Sequence, residues 1–77
     1  MLILELIEIS KNFIKYRYVP EGKEESGVIV LDKETGEVKI ESLAKDYDSS
    51  YMGHAVHRID EYYTKDSYPQ KDMVVWY

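Results

Sequence analysis

Cysteine is absent from this 77-residue chain. Disulfide staples, thiolate nucleophiles, cysteine zinc sites and iron–sulfur clusters are excluded with it. Small domains of oxidising compartments usually depend on such staples, so their absence points to a reducing compartment and the chain reads as cytoplasmic. Glycine and proline are scarce, at four and two residues, and the glycines stand singly at 22, 27, 36 and 53. No Gly-rich phosphate cradle can be built from them, and no serine sits in a G-x-S-x-G elbow. An excess of positive charge is also missing: ten basic residues face fifteen acidic ones, for a net charge of −5. The acidity is spread along the chain, without a basic arm or tail. Polyanion binding needs Lys and Arg side chains converging on phosphates, so this balance argues against direct contact with nucleic acid. The apolar start, residues 2–9, is interrupted by Glu5 and Glu8 and lacks a basic flank. It reads as neither a signal peptide nor a membrane span.

What remains is an ordinary globular balance, 44 % hydrophobic and 32 % charged, in a length that suits one domain over residues 1–77. Such a chain buries roughly 60–65 % of its unfolded surface, enough for one small core. Residues 2–9 are rich in Ile and Leu and predict a strand. Residues 13–19 alternate, with Ile14, Tyr16 and Tyr18 opposing Lys15 and Arg17, and predict a second strand that Pro20 ends. A charged loop from Pro20 to Gly27 leads to a third strand over 28–32. The segment Asp32-Lys33-Glu34-Thr35-Gly36-Glu37 has Asp to open a turn and Gly36 to take the positive φ of a bulge. It closes a hairpin onto a fourth strand over 38–43.

After a loop over 44–50 the hydrophobic period changes from two to three-and-four. Met52, Ala55, Val56, Ile59 and Tyr63 form one helical stripe with Tyr62 beside it, and Ser49 or Ser50 is placed to cap the helix. His54, His57, Arg58, Glu61 and Lys65 fall on the other side. Gly53 either permits close approach of a neighbouring backbone or marks a late helix start at His54. Residues 73–77 predict a last strand. The order is ββββαβ, an α+β fold with an antiparallel-rich five-stranded sheet and one helix on one face.

The first, third and fifth predicted strands are apolar on both sides, and one helix covers only one face. Apolar surface left open in this way marks an interface, and a symmetric dimer is its commonest cover. The eight tyrosines and one tryptophan are residue types favoured at contacts. Tyr62, Tyr68, Val75, Trp76 and Tyr77 are the partner-binding candidates, with the edge of the first or last strand as a mode of main-chain pairing. The expected function is that of a small acidic protein-interaction module, a homodimer or an accessory to another protein. Two other readings stay open. His54, His57 and Glu61 could hold a metal ion or small ligand from one helix face, although the spacing lacks the HExxH pattern. An acidic decoy of nucleic-acid-binding proteins is the other. No catalytic constellation is present, and no cofactor is expected.

Overall fold

The computed structural model describes residues 1–20, 26–42 and 49–75. Its elements run β1 (Leu2–Ile9), β2 (Phe13–Pro20), β3 (Gly27–Asp32), β4 (Val38–Ser42), α1 (Ser49–Lys65) and β5 (Lys71–Val74). The five strands make one sheet in the order β4-β3-β2-β1-β5, and every neighbouring pair is antiparallel. Four strands form a meander. The helix then carries the chain from the β4 edge across one face, and β5 docks beside β1. The expected order ββββαβ and the α+β class hold. The charged loop after Pro20 and the predicted strand residues Leu43, Trp76 and Tyr77 lie outside the described residues.

Local chemistry explains the boundaries. The turn between β3 and β4 is organised by Asp32, whose carboxylate accepts the main-chain N–H groups of Glu34 and Thr35 at 2.9 and 3.4 Å. Gly36 takes φ 76°, and its N–H donates to the Asp32 carbonyl at 2.8 Å. Pro20 is the last residue of β2, opposite Leu2, beyond the point where the β3 ladder ends at Tyr18–Gly27. Its missing N–H therefore removes nothing from that ladder. The helix ends in a paired cap: Ser67 N–H reaches the Tyr62 carbonyl at 3.1 Å and Asp66 N–H reaches that of Tyr63 at 3.2 Å. Asp66 sits at φ 52° where glycine is usual.

The core lies between the helix and one sheet face. Leu2, Leu4, Ile14, Tyr16, Tyr18, Ile29, Leu31 and Val74 face Ala55, Ile59 and Tyr62. The helix touches β1, β2 and β5, as its apolar stripe requires.

Two expectations about the helix are corrected. It begins at Ser49, so both candidate cap serines are themselves helical and the late start at His54 is wrong. Gly53 lies inside it, and a methyl group there would meet nothing within 4 Å, so no close backbone approach explains the glycine. Gly53→Ala should therefore raise stability by about 0.5–1 kcal/mol through helix propensity alone. A urea titration followed by circular dichroism would show it. An unchanged or lower midpoint would mean that residue 53 is constrained by something other than the helix.

Strand β1 also departs from simple alternation. Leu6 pairs with Tyr16 but Glu8 pairs with Lys15, so Ile7 is an extra residue in a bulge. The bulge returns Ile9 to the helix side opposite Ile14. The apparent two-sided apolarity of this strand is largely a shift of phase, because Glu5 and Glu8 occupy the face expected to be apolar.

Candidate interaction surface

Tyrosines gather where the helix leaves the sheet. Tyr16, on β2, is wholly buried, and its hydroxyl donates to the Pro69 carbonyl at 2.6 Å. Its ring lies 5.4 Å from that of Tyr62 at 39°. Tyr62 in turn donates to Asp72 Oδ2 at 2.5 Å, and Arg58 Nη1 reaches the same oxygen at 3.1 Å. The second Asp72 oxygen accepts the Met73 N–H at 2.9 Å. Tyr63 lies over Gly36, where an added methyl group would stand 2.9 Å from its ring. Lys33 Nζ sits 5.9 Å above the Tyr68 ring. This set clamps residues 62–72 to the sheet and to the β3–β4 turn.

The arrangement overturns part of the sequence reading. Tyr62 is a core residue, 7 % exposed, and is not available to a partner. Arg58 leaves the solvated helix face to pair with Asp72 across to β5. Tyr68 is half-buried against the core and is engaged by Lys33. Val75 is 49 % exposed and stays a surface residue, while Trp76 and Tyr77 lie outside the described residues. The edge of the first strand is also taken, because β1 is flanked by β2 and β5.

The three proposed metal ligands, His54, His57 and Glu61, are not gathered into one set. His57 Nε2 meets Glu61 Oε1 at 3.2 Å, with the imidazole 76 % exposed. Among the described residues no three His, Asp or Glu side chains are grouped to hold a metal ion. One helical turn separates His57 from Glu61, so each occupies the other in a solvent-screened pair of small energetic weight.

Burial sets the titration of the clamp. Tyr16 and Tyr62 are both pushed well above the ordinary phenol value of 10.0, first by burial. The Asp72 charge adds for Tyr16, and the hydrogen bond to Asp72 adds for Tyr62. A phenol whose folded pKa is raised stabilises the fold fully below its unfolded pKa, and that contribution drains away as pH climbs from there toward the folded value. Stability should hold constant from about pH 7 to 9 and fall above about pH 10. Phenolate absorbance should rise in two phases, the later one coinciding with loss of far-ultraviolet circular dichroism. A single step near pH 10 for all tyrosines with the spectrum intact would contradict the buried clamp.

The sheet face opposite the helix carries further apolar surface, besides Ile9, which is exposed at the end of β1 on the helix side. Cross-strand registers place Met73, Ile3 and Val19 in one row and Lys71, Glu5, Arg17 and Val28 in the next. Glu8, Lys15, Val30 and Lys39 make a third row, and Phe13 lies beyond it opposite Asp32. Lys15 also reaches diagonally to Glu41 Oε1 at 3.3 Å. Met73 is 54 % exposed, and Ile3, Val19, Val28 and Val30 are half-buried. Two apolar patches are thus separated by a charged band. A shallow depression of roughly 300 Å³ beside Phe13 and Val30 is rimmed by Asp32, Glu34, Glu37 and Lys39.

No helix is long and apolar enough to cross a membrane among the described residues. Compared with known proteins, the chain matches no family model, no curated protein sequence and no solved structure.

Proposed function

We propose that this chain is a small protein-interaction module that self-associates through the parts of its sheet that the helix leaves uncovered. The observation that carries the reading is one-sided cover. One helix shields one face, while Ile3, Val19, Val28 and Val30 line the other with Met73 and Val75 about half exposed beside them. Apolar area of this kind on a small acidic domain is suited to a second protein surface. The interspersed charges suit a reversible, partly polar contact better than a permanent one.

Light scattering over a dilution series tests it. The expected mass at high concentration is near twice 9.1 kDa, falling toward the single-chain value on dilution. A single-chain mass throughout would overturn self-association.

A further inference from the structure

We propose that two copies of the chain stack their helix-free faces, related by a two-fold axis that runs along the strands between β1 and β2. The inference rests on the self-association reading above and specifies how the copies meet. On that face β1 and β2 carry matched rows: Ile3 beside Val19, Glu5 beside Arg17, and Glu8 beside Lys15. A two-fold along the strands turns the second face over onto the first, keeps every row over itself and exchanges the two strands. Ile3 then lies on Val19 of the second copy, Glu5 on its Arg17 and Glu8 on its Lys15, and each contact is repeated by symmetry. Apolar meets apolar, and every charge that these two strands carry meets its opposite. Among the described residues Glu5, Glu8 and Arg17 have no ion-pair partner within the chain, so the contact supplies what a single copy leaves unmet. Lys15 reaches Glu41 at 3.3 Å and has further N–H groups to donate to Glu8 of the second copy. Sheets stacked in this aligned way stand about 10 Å apart, with their strands crossing at about 30°, a separation that long charged side chains span.

Charge selects this axis over its neighbours, because like charges set against each other across an interface disfavour it. An axis over β2 sets Arg17 on Arg17 and Lys15 on Lys15. One over β1 sets Glu5 on Glu5 and Lys71 on Arg17. An axis across the strands does no better. Through the Glu5 row it opposes Lys71, Glu5 and Arg17 each to itself, and between that row and the next it opposes Glu5 to Glu8 and Arg17 to Lys15. Through the Ile3 row it covers only the end of the sheet. Moving the axis between β2 and β3 lays Arg17 and Lys15 on Val28 and Val30, which buries cations without a counter-charge. Moving it between β1 and β5, the last strand on that side, leaves β2 uncovered. With the axis between β1 and β2, Lys71 falls over Val28 of the second copy, where its methylene stem covers the valine and its ammonium group stays at the rim.

Charge reversal makes the axis testable by light scattering over a dilution series. Arg17→Glu sets carboxylates against carboxylates at the centre of its own dimer, and Glu5→Arg sets guanidinium groups against each other in the same way. Each variant alone should dimerise about tenfold more weakly than the parent chain. An equimolar mixture should regain the parent's association, because each new charge then meets its opposite on the other chain. Both variants stay net negative, so general attraction between the chains does not produce that recovery. Lys71→Glu, set over a valine, should dimerise as the parent does. Circular dichroism melts check that the variants fold, since Arg17→Glu and Glu5→Arg also place like charges side by side within one sheet. If either fails to fold, Glu8→Lys and Lys15→Glu repeat the test in the next row. Parent-like dimerisation of either folded variant alone, no recovery on mixing, or an equal loss in Lys71→Glu overturns the axis while self-association stands. A parent chain that never dimerises removes both.

Discussion

Tyr16→Ala should leave the chain largely unfolded at room temperature. Its side chain is the largest of those fully buried. It packs against Tyr62 from the helix and tethers the Pro69 carbonyl, so it meets the sheet, the helix and the segment joining helix to β5. Truncating a buried aromatic side chain to alanine costs about 3–5 kcal/mol, and a domain of this size holds about 3–5 kcal/mol in total. Tyr16→Phe separates the two contributions. It keeps the ring and removes one hydrogen bond, at about 0.5–1.5 kcal/mol. Urea midpoints of the two variants are the measurement. A folded Tyr16→Ala protein with near-parent stability would mean that the core closes without this residue.

Gly27→Ala is the second large effect, and it arises from the opposite cause. Gly27 is paired with Tyr18 across β2 and β3, and a methyl group there would stand 2.2 Å from Cε1 and 2.4 Å from Cζ of that ring. Tyr18 is 2 % exposed and so has no open space into which to swing. Overpacking of this type costs about 1–3 kcal/mol. The ring itself is the obstacle, which yields a sharper check. In a Tyr18→Leu background the same Gly27→Ala change should cost little, because the contact atoms are gone. An equal cost in both backgrounds would place the obstacle elsewhere.

How far the sequence foretells this structure depends on the range over which each rule acts. The β3–β4 turn is readable because Asp32 and Gly36 act on main-chain groups within five residues. The helix stripe is readable because Met52, Ala55, Val56 and Ile59 repeat at helical spacing. Strand β5 begins at Lys71 rather than Met73, since two charged residues hide a strand whose existence is decided by pairing with Glu5 and Leu4. The bulge at Ile7 carries no signature in residue type, and without it β1 looks apolar on both sides.

Tyr62 is the instructive case for the candidate surface. Ala55, Ile59 and Tyr62 fall at i, i+4 and i+7, so its inward position is legible. The general preference of tyrosine for interfaces suggests a contact residue instead. The partners that hold it, Tyr16 and Asp72, lie 46 and 10 positions away, beyond any local pattern. Among the described residues the tyrosines serve mostly to fasten the chain to itself.

The placement of β5 has a consequence for synthesis. Its partners in β1 lie 66 to 72 positions earlier, from Glu5–Lys71 to Leu2–Val74. The meander can zip up by local hairpins as it emerges from the ribosome, but one flank of β1 has no neighbour until residues 71–74 follow. During that interval Leu2, Ile3 and Leu4 present an apolar strand open on one flank, the kind of edge that nascent chains aggregate through. Closing it is a long-range step, and long-range steps are slow. A ribosome that stalls within the helix would thus hold the most adhesive form this polypeptide passes through, and Glu5 and Glu8, set into that strand, act as its guards.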